Sequence, residues 1–258
     1  PRLAARFGLP RSSAVQIDRL PPVLSTLKPS NHPYLNGAWT PQHEEVTVAA
    51  LDVIEGAIPH DIDGVYLRNT ENQLHQPLGR YHPFDGDGMI HQISFSNGTA
   101  SYRNRWVRTR GFQAEQEAAG SLWGGLMDRA GTSKRPGFGA HGSLKDSSST
   151  DIIVHAGKAI STFYQCGEGY VLDPETLEPL GLAPWVPLDG ISAHPKVDDR
   201  TGELMFFNYS KHAPFMHYGV VDRDGKLAHY IPVPLPGPRL PHDMIFSEHW
   251  SIVNDLPM

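Results

Sequence analysis

An all-β chain folded as a β-propeller is what this sequence predicts, and three observations predict it. Turn segments recur: Asp173-Pro174-Glu175-Thr176, Asp198-Asp199-Arg200-Thr201-Gly202 and Asp222-Arg223-Asp224-Gly225, with first aspartates 25 and 24 positions apart. Strand-like apolar runs lie between them, such as Leu204-Met205-Phe206-Phe207 and His217-Tyr218-Gly219-Val220-Val221. Two such hairpins make one four-stranded blade, near the ~40–50-residue period of propeller repeats. Finally, Gly 25 and Pro 23 in 258 residues punctuate many short strands better than long helices. An ordinary antiparallel sandwich gives the same alternation, and pattern alone leaves it open.

Along the chain, residues 1–45 have little periodicity and many prolines (Pro21, Pro22, Pro29, Pro33, Pro41), and read as an N-terminal wrapping segment with a short helix near 12–20. Residues 46–258 read as the propeller part. Val46 to Gly56 alternates and then turns, as a strand does. Val65 to Asn69 is a second strand. In Phe84-Asp85-Gly86-Asp87-Gly88 the glycines supply positive φ for a tight turn, with Asp85 and Asp87 as turn residues, and a strand follows to Phe95. Asn97-Gly98 between alternating runs predicts a hairpin whose return strand is Ala100 to Arg108. Residues 112–130 are the best helical stretch, weakened by Gly120, Gly124 and Gly125. Residues 131–149 read as a loop, and Asp151–His155 and Ala159–Tyr164 as strands.

Composition narrows the function classes. The net charge is −6 and no basic stripe occurs, which argues against nucleic acid as a partner. The single cysteine, Cys166, allows neither an internal disulfide nor a multi-cysteine zinc site, and suggests a reducing, cytoplasmic setting. No apolar run approaches the ~18 residues of a spanning helix.

The chemistry points to two histidines. His194, in Ser192-Ala193-His194-Pro195-Lys196, and His242, in Pro241-His242-Asp243, lie one blade period apart, and each precedes a probable strand. In a propeller, equivalent positions on neighbouring inner strands face one axis, so the pair can converge on a metal ion. Spacing alone leaves surface polarity as the alternative.

Five stretches, in order, resemble the carotenoid cleavage oxygenase family, which includes stilbene-cleaving enzymes. They are Asp63-Gly64-Val65-Tyr66-Leu67-Arg68-Asn69, Phe84-Asp85-Gly86-Asp87-Gly88-Met89, Val154-His155-Ala156-Gly157-Lys158, Ser192 to Lys196, and Pro241-His242-Asp243. The resemblance implies a seven-bladed propeller, partial here, with a loop and helix cap. It also implies one Fe(II) per subunit held by four histidines, with O2 as co-substrate. His194 and His242 match the first two ligands. The other two belong to later motifs, so the sequence reads as an N-terminal fragment of an iron dioxygenase. Neutral imidazole suits Fe(II).

The same resemblance sets Thr150 near the open iron position and Gln165 where a ligand-supporting glutamate is expected, with Glu168 as the other candidate for that support. His155 matches no ligand and reads as structural. Stilbene-cleaving relatives carry a lysine near that glutamate. Tyr164 stands there instead, which favours a carotenoid or apocarotenoid over a hydroxystilbene as substrate. Such a polyene implies an apolar tunnel mouth touching a membrane, with Phe7, Leu9 and residues 121–126, Trp123 among them, as candidates. The competing functions are stilbene cleavage and a non-enzymatic propeller platform.

Overall fold

The computed structural model describes residues 15–137 and 144–256. Phe7, Leu9 and the first residues of the expected 12–20 helix lie outside them. In the first sheet, β1 (Ile17–Arg19), β2 (Val46–Val48), β3 (Gly64–Asn72), β4 (Asp87–Ser96) and β5 (Thr99–Trp106) are ordered β1-β2-β5-β4-β3. Two four-stranded antiparallel sheets follow in simple sequence order. One is β6 (Asp151–His155), β7 (Lys158–Thr162), β8 (Tyr170–Leu172) and β9 (Pro179–Leu182). The other is β10 (Lys196–Asp198), β11 (Glu203–Tyr209), β12 (Met216–Val221) and β13 (Leu227–Pro232). A final pair, β14 (Met244–Phe246) and β15 (Ser251–Val253), ends the described part. Each four-stranded meander is one propeller blade. Strand β6 packs beside β3 and β10, and β10 beside β14, so these four form the inner ring.

The turns that separate the strands are the ones the aspartates announce. Asp173 accepts from the backbone N–H groups of Glu175 and Thr176 at 2.9 and 2.7 Å, and Asp222 caps its own turn through Asp224 and Lys226 in the same way. Asn97 and Gly98 take φ of 47° and 72° and close the β4–β5 hairpin. Between the second and third sheets a core forms from Ile160, Val171, Trp185, Ile191, Phe206 and Val221. This inter-blade packing fixes the angle between neighbouring inner strands, and hence what their leading residues face.

Several expectations need correction. Residues 17–19 form a strand, not a helix: β1 pairs with β2 at the outer edge of the first sheet, and Leu20 N–H donates to the Glu45 carbonyl. The strand at Val46 ends at Val48. Gly86 and Gly88 do not serve a positive φ. A Cβ on Gly86 would meet the Asn72 nitrogen at 2.6 Å, and one on Gly88 the Ser148 carbonyl at 2.2 Å, so close backbone approach is what demands glycine. Asp85 does sit in a 3-10 turn, Pro83–Asp85, but Asp87 is a buried strand residue ion-paired with Lys145. The helix, α1 (Arg110–Ala118), starts earlier and is shorter than expected. Thr109 caps it by accepting from Phe112 N–H, and Ala119 in the left-handed region with Gly120 behind it stops it. Trp123 is buried and donates its indole N–H to the Pro136 carbonyl, so it does not face a membrane; in this stretch Leu126, and Met127 just beyond it, are exposed.

Candidate metal centre

His194 stands two residues before β10, and His242 two residues before β14. Thr150 immediately precedes β6. The repeat therefore delivers one side chain per blade to the same end of the inner ring. Local structure holds each in place. Ser192 N–H donates to the Phe207 carbonyl, and Thr162 Oγ1 to the Ala193 carbonyl, so the backbone leading into His194 is pinned on both sides. Lys196 and Asp243, just beyond the two histidines, form an ion pair at 2.6 Å that ties their segments together.

The two Nε2 atoms lie 3.2 Å apart, with the rings nearly perpendicular at 79°. Nδ1 of His194 faces Asp151 Oδ2 at 2.8 Å. A carboxylate only accepts, so Nδ1 carries the proton and Nε2 of neutral His194 presents its lone pair toward His242. Burial, then the neighbouring His194, hold His242 below the ordinary imidazole pKa, which favours its neutral, ligand-competent form. Two nitrogens each ~2.1 Å from one ion stand about 3.0 Å apart at a right angle and about 3.4 Å apart at the tetrahedral angle. The observed separation falls between these values, so the pair fits a shared metal ion. Among the described residues no cluster of three or more metal-ligating side chains occurs.

Both histidines open onto a cavity of about 790 Å³, flanked by Trp39, Phe84 and Tyr164 and lined along one side by Arg68 to Asn72 of β3. Thr150 lies in the same wall, its Oγ1 accepting from Tyr164 N–H at 3.0 Å. Burial pushes the Tyr164 phenol well above its usual range, so it stays neutral.

The other candidates go elsewhere. Glu168 accepts from the Arg110 guanidinium and from Tyr170 OH, beside the start of α1. Gln165 lines a separate cavity of about 250 Å³ with Tyr209 and Leu240. His155 is buried against the Gly202 carbonyl at 2.9 Å, a structural contact. The carboxylate that meets a histidine is Asp151, which the sequence reading treats only as the start of a strand. The missed signal was position: Asp151 follows Thr150 on the inner strand of the neighbouring blade.

Residues 39–258 match the family described as RPE65, retinal pigment epithelial membrane protein. The chain is 31% identical over 248 residues to a carotenoid 9,10(9',10')-cleavage dioxygenase 1 of Pisum sativum, covering 88% of this chain and 45% of that protein. It is 36% identical over 236 residues to an isoeugenol monooxygenase of Pseudomonas putida, covering 88% and 48%. A lignostilbene dioxygenase of Pseudomonas brassicacearum superposes with a TM-score of 0.78 at 28% identity, covering 88% and 48%. A Synechocystis apocarotenoid oxygenase shares the fold at a TM-score of 0.67 and 24% identity, covering 83% and 47%. The chain thus spans about half the length of the curated relatives it matches. These propeller neighbours dispose of the sandwich alternative. With the match running across most of its length, the chain belongs to the RPE65, or carotenoid cleavage oxygenase, family of dioxygenases.

Proposed function

We propose that this chain carries two ligands of a mononuclear iron centre, His194 and His242, in an enzyme that cleaves a conjugated C=C bond with O2 into two carbonyl products. The observation behind the reading is the 3.2 Å approach of two Nε2 atoms, one with its tautomer set by Asp151, at the wall of a large cavity. The chemistry that iron supplies there is activation of O2 beside the double bond. The residues' own part is positional. Asp151 keeps the His194 lone pair aimed. Thr150 narrows the cavity beside the pair. Trp39, Phe84 and Tyr164 offer flat faces to a flat conjugated substrate.

A carotenoid or apocarotenoid is the first substrate reading. The Pisum sativum relative is named for carotenoid cleavage, and the family resemblance sets Tyr164, with no lysine adjacent, about where a stilbene-cleaving enzyme would carry a lysine. The polyene reading places a peripheral membrane contact on a cytoplasmic enzyme at exposed Leu126 and Met127. Among the described residues no helix is long and apolar enough to cross a membrane. A short phenolic alkene is the second reading. It is favoured by the higher identity to the isoeugenol enzyme and by the polar β3 wall of the cavity.

Elemental analysis after anaerobic Fe(II) loading tests the proposal on the complete gene product, beside a His194→Ala variant. Near-stoichiometric iron in the first and little in the second is the expected result. An iron-free parent would overturn the oxygenase and leave a non-enzymatic propeller platform. Cleavage of phenolic alkenes alone would remove the carotenoid reading.

A further inference from the structure

We propose that Glu71 binds a hydroxyl group on the substrate, so that the preferred substrate is a conjugated alkene bearing a free hydroxyl. This deepens the oxygenase reading and rests on it. The placement follows from β3. Alternate residues of a strand share a face, so Asn69 and Glu71 project the same way. The Asn69 amide donates to the Asp151 carbonyl at 3.1 Å and to the Ser148 carbonyl at 3.0 Å. Asp151 in turn holds His194. Glu71 lies one step, about 6.6 Å, farther along the same strand face, and it lines the cavity that His194 and His242 share.

What separates Glu71 from the carboxyls around it is that its hydrogen-bonding capacity is unused. Asp85 accepts the backbone N–H groups of His82 and Leu126 at 2.8 and 2.7 Å. Asp87 and Glu115 are paired with Lys145, Asp151 with His194, and Glu168 with Arg110. Among the described residues the Glu71 side chain has no hydrogen bond or ion pair, its backbone alone being engaged in the β3–β4 ladder. Leaving a half-buried carboxyl unpaired is costly, and a cavity-facing group of that kind is a natural place for a ligand to supply the partner. Burial, with Asp85 adding like charge, raises its pKa to about 7, so near neutrality about half of the carboxyl is protonated, a form that both donates and accepts. A hydroxyl does the same, and the two groups can exchange two complementary bonds. An aryl or alkyl ether can only accept, and a hydrocarbon end leaves Glu71 as it was.

A phenol and a ring-hydroxylated apocarotenoid both provide this chemistry, and one experiment separates them. The iron-loaded complete protein is titrated anaerobically, so that no turnover occurs, with two matched pairs of ligands. One pair is isoeugenol and its O-methyl ether. The other is an apocarotenal with a ring hydroxyl and the same molecule without it. The protein is wild type, Glu71→Gln or Glu71→Leu. On whichever scaffold binds, the hydroxyl form is expected to bind about tenfold to hundredfold tighter in the wild type. Glu71→Gln keeps part of that ratio, and Glu71→Leu brings it to about one with iron content and melting temperature unchanged. Equal binding of both members of each pair by the iron-loaded wild type overturns the role of Glu71, and so does a ratio that survives Glu71→Leu. The wild-type comparison does not depend on any variant folding. A wild type that takes up no iron overturns the underlying oxygenase reading, a separate failure.

Discussion

Two of this chain's charged clusters are built to opposite ends. In one, Lys145 is sunk between Asp87 and Glu115, 2.9 and 2.7 Å away, and all three side chains are at most a tenth exposed. Burial opposes the lysine's charge, yet the two carboxylates hold its pKa above the ordinary value. The cluster joins β4, α1 and the segment leading to β6, and its charges are spent on one another. In the other, Asp151 spends itself on His194, and His194 and His242 turn their Nε2 atoms toward one point at a cavity wall. A charge count alone would rank the first cluster as the more conspicuous. The difference teaches that a site is recognised by the polar capacity left over after folding, and structural networks by its absence.

The largest effect expected from breaking this contrast comes from Lys145→Met. It leaves two buried carboxyls without their cation, which costs about 3–5 kcal/mol. Urea unfolding should show the loss, while iron bound per folded molecule stays at the wild-type level. A loss below about 1 kcal/mol would mean the network is not a closed structural unit. The converse variant is Asp151→Asn. It keeps the shape but removes the charge that orients His194, and metal affinity should fall about tenfold to hundredfold with little change in the unfolding midpoint. Competition with a chelator measures this. Unchanged affinity would show that the Asp151 contact does not set the ligand's tautomer.

Legibility followed the same line. The repeating aspartate turns and the Asn97-Gly98 hairpin were readable because each is a local device whose residues act on their own backbone. The one-blade spacing of His194 and His242 suggested their convergence, because a propeller repeats its geometry along with its sequence, but it took the family resemblance to single out the pair. What could not be read depends on contacts between distant segments. Glycine at 86 and 88 is demanded by Asn72 and Ser148, which no local pattern reveals. Asp87 looks like a turn residue until Lys145, 58 positions later, is brought against it. Asp151 gains its meaning only when the neighbouring blade swings His194 onto it, and Glu71 only when every nearby carboxyl has been seen to have a partner. Trp123 shows the same thing in reverse, since an aromatic in a glycine-rich stretch looks exposed until Pro136 takes its N–H.

The smallest expected effect sharpens the boundary between the two kinds of cluster. Lys196 and Asp243 flank the histidines and are linked at 2.6 Å, but their side chains are 29% and 51% exposed. Solvent screening limits such a pair to less than about 1 kcal/mol. Burial opposes the Asp243 charge, but the bond from Lys196 helps to hold its pKa below the usual carboxylate value. Lys196→Met should therefore barely move the unfolding midpoint. If the pair does nothing but decorate the surface, metal affinity will not move either. If it sets the spacing of the two segments, affinity should drop a few-fold, because the 3.2 Å separation of the Nε2 atoms is what a shared ion would have to match. A chelator titration at two ionic strengths distinguishes the cases, since only a bridge that positions the histidines makes wild-type affinity weaken with salt while Lys196→Met stays flat.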